Sequence, residues 1–278
     1  MATEGPPSKY HYDPSLAAAA IFAVLFGLSA IWHLLQLVKA RTWYFLAFFC
    51  GVVFESVGYA ARCINASETP NWSSVPFIIQ TLLPLLGPAL FAASIYMILG
   101  RLIRILDAER LSFIRTKWLT KIFVLGDVLS FAVQCIGGGI LAGADSKSAV
   151  DRGQNVLLFG LGIQILFFGC FIAAISVFHI RILQGPTTTS LTTSLPWKQS
   201  LYVLYSTSLL IMVRSIFRVA EFAAGQTSVL QSTETYLYCL DTAPMWICSV
   251  VFNVWHPSRV VQGQQHKDEG QQELESTC

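Results

Sequence analysis

QTLLPLLGPALFAASIYMILGR, from Gln80 to Arg101, carries no Asp, Glu, Lys, Arg or His before its closing arginine. A helix needs roughly 20 mainly apolar residues to cross about 30 Å of hydrocarbon, and this stretch supplies them. Similar runs lie on both sides of it, at about 16 to 38, 43 to 62, 119 to 142, 155 to 179, 200 to 222 and 236 to 256. With 76 to 100 they make seven candidate spans. Hydrophobic residues form 54% of the 278 positions and charged residues 12%, against about 25% charge in soluble domains. Mean hydropathy is +0.57. Long helical runs rather than short alternating strands exclude a β-barrel. The expected fold is an all-α, polytopic seven-transmembrane helix bundle.

Loop charge sets the expected orientation, because Lys and Arg concentrate on the cytoplasmic side. Lys39, Arg41, Arg101, Arg104, Arg110, Arg115, Lys117, Lys121, Arg181, Lys198, Arg259 and Lys267 fall on one side; Lys9, Lys147 and Arg152 fall on the other. The N-terminus is therefore expected outside and the C-terminus in the cytosol. The 64 to 75 loop is then external, with sequons at Asn65 and Asn71. Residues 1 to 15 read as an external tail without the features of a cleavable signal peptide. Residues 16 to 258 read as the membrane domain, and 259 to 278 as a cytosolic tail too polar to pack.

The seven cysteines form no CxxC pair and sit mostly inside spans; Cys63 and Cys239 lie near outer helix ends, where a disulfide is an open alternative. Residues 186 to 194, PTTTSLTTS, read as a polar loop. No Walker motif or dinucleotide fingerprint occurs, which disfavours direct ATP-driven pumping. Nothing points to a cofactor or to nucleic acid, since the basic loops are accounted for by topology.

Ionisable residues within lipid-spanning helices are costly and tend to mark functional routes. Glu55, Tyr59 and Arg62 lie at i, i+4 and i+7, and Arg214, Arg218 and Glu221 repeat those offsets, so each set shares a helix face. Asp127, Ser130 and Gln134 form a third stripe ahead of Gly137-Gly138-Gly139, a run that permits close helix approach or ends the helix. Gln80 and Asp241 add single polar groups. Glu55, Arg62, Gln80, Gln134, Arg214, Arg218, Glu221 and Asp241 map to the outer half; Asp127 lies near the middle. Four acids, Glu55, Asp127, Glu221 and Asp241, face three arginines, an excess of one negative charge suited to a cationic headgroup. Structural ion pairing competes with this account for any one pair. Pro84, Pro88 and Pro244 withdraw N–H donors from the carbonyls of Gln80, Pro84 and Leu240, which need other partners in a bilayer.

His33, His179 and His256 fall at cytoplasmic helix ends and form a weaker candidate set for a metal or porphyrin. They lack the HxxxH or HExxH spacing that places two ligands on one face. No metal is therefore assigned.

FESVGYAAR (Phe54 to Arg62), the Gln80 to Arg101 stretch, KIFVLGDVLSFAVQCIGGG (Lys121 to Gly139), RSIFRVAEFAAGQ from Arg214, ETYLYCLD (Glu234 to Asp241) and His256-Pro257 together resemble the fungal lipid-translocating exporter family. The resemblance covers roughly residues 10 to 260. It implies a seven-span plasma-membrane protein that handles sphingoid long-chain bases, toxic sterol-like amphiphiles such as 7-aminocholesterol, or porphyrins. The expected function is export of amphipathic lipids, with Glu55, Tyr59, Arg62, Gln80, Asp127, Gln134, Arg214, Arg218, Glu221 and Asp241 lining the substrate site and no catalytic residue. A heptahelical lipid sensor and a membrane-embedded metal-dependent lipid hydrolase are the alternatives. Histidines and acidic cluster map to opposite membrane halves, which disfavours the hydrolase.

Overall fold

In the computed structural model, residues 14–68, 73–143, 146–193, 195–225 and 228–258 are described. Pro14 and Ser15 apart, the two expected tails lie outside them, as does Asn71. Seven spanning helices form: α1 (Leu16–Ala40), α2 (Leu46–Ser67), α3 (Ser74–Ile105), α4 (Thr116–Ala142), α5 (Lys147–Gln184), α6 (Trp197–Ala223) and α7. The last is interrupted, running Glu234–Leu237, then a π-turn Tyr238–Thr242, then Ala243–Val254. The chain is an all-α, multi-pass membrane protein.

Consecutive helices pack against one another, and α1 meets α7, so the bundle closes into a ring. α3 is drawn inward and touches α6 as well as α2 and α4. Its apolar side chains Phe91, Ile95, Tyr96, Leu99 and Leu102 are fully buried. By contrast α1 and α4 keep broad apolar faces outward, including Leu28, Ile31, Leu125 and Val128, as helices bathed in lipid should.

Small residues set the close approaches. A Cβ on Gly51 would meet the Gly87 carbonyl at 2.8 Å, and one on Gly58 would meet the Pro84 ring at 2.6 Å, so α2 and α3 pack nearly backbone to backbone. Gly137 and Gly153 do the same for α4 and α5. The Gly137 to Gly139 run therefore does not end its helix, which continues to Ala142.

Some boundaries differ from the hydropathy pattern. α5 begins eight residues before the expected position 155, because Ser146 caps it by accepting from the Ala149 N–H and Arg152 closes onto the Ser148 carbonyl. Its 38 residues span ~57 Å, well beyond the thickness of the hydrocarbon. The 186 to 194 segment is not wholly loop: Thr188–Thr192 is a short helix capped by Thr187.

A buried ion cluster between four helices

Asp241 is held at the centre of the half of the bundle that loop charge assigns to the outside. Pro244 cannot donate to the Leu240 carbonyl, and around it the chain adopts the π-turn, in which the Ala243 N–H reaches back to the Tyr238 carbonyl. The wider turn presents Asp241 toward α6. There Arg214 Nε lies 2.8 Å from Asp241 Oδ1, while Arg218 donates through Nε to Oδ1 at 3.0 Å and through Nη2 to Oδ2 at 2.7 Å. Arg218 also donates to Glu221 Oε2 at 3.0 Å. Arg214 and Asp241 are only 2% and 1% exposed, so their mutual attraction acts in a low dielectric.

Arg214 has a second task. Pro88 leaves the Pro84 carbonyl without its usual helical donor, and Arg214 Nη2 donates to that oxygen. The α3 kink and the α6 arginine are thus complementary, and α3 joins the cluster through backbone.

From α2, Tyr59 and Thr242 share a hydroxyl hydrogen bond of 2.5 Å, and Thr242 in turn donates to the Leu237 carbonyl, just before the π-turn. Glu55 is buried at 1% exposure, in electrostatic contact with Arg214, Asp241 and Arg218. A Cβ at position 87 would come within 2.7 Å of Glu55 Oε1, so Gly87 makes the room for this carboxylate. Among the described residues Oε1 has no hydrogen-bond partner.

One turn further out, Arg62 pairs with Glu234 at 2.8 Å and lies over the Tyr238 ring. Tyr238 also donates to Glu234 Oε1, and the Ser15 N–H donates to Oε2, so Glu234 ties α1, α2 and α7 together. Glu234 stands at a helix end, outside the three polar stripes of the sequence, and its offset of seven from Asp241 is the only sequence sign of it. Gln80 is half-buried one turn before Pro84.

The third stripe goes elsewhere. Asp127 accepts from the Tyr96 hydroxyl at 2.9 Å, between α4 and α3. Gln134 donates to Ser130 at 2.8 Å and to Gln164 at 3.1 Å, and Ser130 donates to the Gly160 carbonyl, which locks α4 to α5. The structure thus brings together Glu55, Tyr59, Arg62, Arg214, Arg218, Glu221 and Asp241, and sets Asp127 and Gln134 apart.

His33 and His256 both contact the Phe45 ring, whereas His179 packs against Tyr202 and Tyr205. The three do not converge, and among the described residues no three His, Cys, Asp or Glu side chains gather in metal-binding range. Cys63 and Cys239 are free thiols, not a disulfide. Asn65 is fully buried, which closes that sequon to a glycan.

Fold and cluster define a class: a seven-span membrane protein with a desolvated ionic centre shared by helices α2, α3, α6 and α7. The chain belongs to the family described as RTA1 like protein, which it matches over residues 48–264. Its relatives include Protoporphyrin uptake protein 1 of Saccharomyces cerevisiae, 32% identical over 280 residues, covering 88% of this chain and 90% of the relative. The Probable lipid transporter atnI of Emericella nidulans is 32% identical over 269 residues, covering 91% and 68%. The Sphingoid long-chain base transporter RSB1 of Saccharomyces cerevisiae is 25% identical over 283 residues, covering 90% and 73%. No solved structure matches the chain.

Proposed function

We propose that this protein translocates amphipathic lipids, sphingoid long-chain bases or sterol-like amines among them, toward the outer leaflet of the plasma membrane, without hydrolysing ATP itself. The headgroup binds in the ion cluster and the chain stays in lipid. Relatives named as lipid and sphingoid-base transporters support the cargo class.

The observation that carries the headgroup assignment is Glu55. Asp241 is satisfied by two guanidinium groups, Glu221 by Arg218 and Glu234 by Arg62, whereas Glu55 Oε1 has no hydrogen-bond partner. Glu55 receives the cargo ammonium or hydroxyl; Arg214 and Arg218 hold Asp241 behind it. In the present arrangement the cluster is closed, so entry requires α6 and α7 to part at the Arg218–Asp241 contact, with the Pro84 and Pro88 kinks giving α3 the freedom to follow. Purified protein in liposomes should accelerate leaflet exchange of a labelled sphingoid base, and Glu55→Gln should abolish most of that acceleration. No acceleration for any amine-headed amphiphile would refute the proposal.

The relative named for protoporphyrin uptake favours a second cargo class, amphiphilic carboxylates, which would engage Arg62 and Arg218 instead. Glu55→Gln would then spare porphyrin movement while Arg218→Gln would not.

A further inference from the structure

Asp127 stands apart from the ion cluster, halfway along α4, and is 4% exposed. Its Oδ2 accepts a hydrogen bond from the Tyr96 hydroxyl; among the described residues Oδ1 has no hydrogen-bond partner. Phe123, Phe168 and Phe171 pack around Tyr96 with ring centroids 5.4, 6.2 and 4.3 Å away.

The groups on the surrounding elements are neutral. α3 offers Tyr96. On α4 itself Thr120, Ser130 and Gln134 share its face, already bonded to the Tyr96 carbonyl, the Gly160 carbonyl and Gln164, while Lys121 is exposed and lies over the Trp118 ring. α5 offers that glutamine and the phenylalanines. No ion pair to Asp127 occurs among the described residues, whereas Glu221, Glu234 and Asp241 all have arginines. A bare carboxylate in such a place costs several kcal/mol, and removing it from water without a counter-charge is what buried acids avoid. Something must supply that counter-charge.

A hard metal cation takes six or more oxygen ligands, or keeps its waters. An aromatic box with one hydroxyl and one carboxylate provides neither. A proton needs a single oxygen. The geometry points to Asp127 as a proton-binding site, with Tyr96 holding Oδ2 as the acceptor and the proton carried on Oδ1. Pro84, whose carbonyl Arg214 binds, lies on the same helix as Tyr96, ~18 Å away at 1.5 Å per residue. When the ion cluster opens, the part of α3 beyond Pro88 moves with it and displaces Tyr96 from Asp127, so loading of the cargo site and loading of this proton alternate. The coupling rests on the translocator assignment above; the proton site does not.

Two measurements test it. Infrared difference spectra of the purified protein should contain a protonated-carboxyl C=O band that Asp127→Asn removes and Tyr96→Phe shifts to higher frequency, since the hydroxyl donated to that oxygen is lost. Absence of a band assignable to Asp127 overturns the proton site. For coupling, a single-chain amphiphile with a quaternary ammonium headgroup, whose charge does not change with pH, is equilibrated in proteoliposomes with membrane potential clamped. One-for-one exchange shifts its leaflet ratio up to about tenfold per pH unit of gradient. Asp127→Asn should hold the ratio near one while still exchanging the probe without a gradient. A wild-type ratio that ignores the gradient, with exchange intact, overturns the coupling alone. Absence of exchange in wild type overturns both the coupling and the translocator assignment, and leaves the infrared band to decide the proton site.

Discussion

Asp241→Asn removes the negative charge that sits between two guanidinium groups and replaces it with a neutral side chain of the same shape. The three contacts it loses or weakens measure 2.8, 3.0 and 2.7 Å. Each charge pair is worth about 4 kcal/mol at ~4 Å between charge centres and an effective dielectric of about 20, before desolvation is subtracted. Breaking one side of a buried pair usually costs about 3–5 kcal/mol, because the surviving charge stays buried. Arg218 keeps Glu221 and Arg214 keeps the Pro84 carbonyl, so the lower end, about 3 kcal/mol, is expected. With roughly 2–4 °C per kcal/mol in chains of this size, thermal unfolding in detergent micelles should shift down by about 6–12 °C. Arg214→Met in the same background should restore part of the loss, with a coupling energy of about 2 kcal/mol, because the orphaned cation is gone. A single variant melting within 2 °C of wild type, or strictly additive variants, would refute the claim that Asp241 is the counter-charge for both arginines.

Gly58→Ala should destabilise by about 1–3 kcal/mol, since the Pro84 ring 2.6 Å from the new methyl cannot turn away, while Gly138→Ala, with open space around it, should be neutral or stabilise by up to about 1 kcal/mol in the same melts. Gly87→Ala drives a methyl into Glu55 Oε1 and should weaken labelled sphingoid-base binding more than it lowers the melting temperature, as read by fluorescence titration. Pro88→Ala restores the helical donor to the Pro84 carbonyl and should soften the cost of Arg214→Gln; equal costs in the two backgrounds would remove that carbonyl from the argument. Burial pushes His256, just past the end of α7, down to about 4, so the folded form binds fewer protons than the unfolded one between pH 6.5 and 4. Stability should therefore fall by up to about 3 kcal/mol as pH drops through that window, and His256→Gln should flatten the slope.

The seven spans were legible because each carries a mainly apolar run long enough to cross the membrane, even where it holds an ionisable residue or two. The two stripes from Glu55 and Arg214 were legible for a similar reason: offsets of four and seven fix a face whatever the neighbours are. What offsets cannot fix is which neighbour that face meets. The Asp127 and Gln134 stripe obeys the same rule and yet turns to α3 and α5 rather than to Asp241. Uncharged groups were hidden more deeply. Ser29, His33 and Gln36 on α1 bond Ser249 and Asn253 on α7, at 3.0 Å between the serine hydroxyls and 3.2 and 2.8 Å to backbone carbonyls. Their own i, i+4, i+7 spacing was present, but serines in an apolar helix bond backward to their own turn as readily as across to a neighbour. The Pro84 carbonyl was predictable as a freed acceptor, though not its donor.

The π-turn in α7 is an α-helix with one residue too many, and the widened turn absorbs the surplus. Glu234 lies before it and Asp241 within it, and each is matched to an arginine on a different helix. Removing Leu240 would therefore return the span to regular winding while leaving Glu234 and Ala243–Val254 close to their present phase. What would move is Asp241, drawn out of the wide turn that presents it to Arg214 and Arg218. Deletion of Leu240 is accordingly a probe of the turn itself, because every charged group stays in the chain, the Arg62–Glu234 pair keeps its alignment, and only Asp241 loses its place.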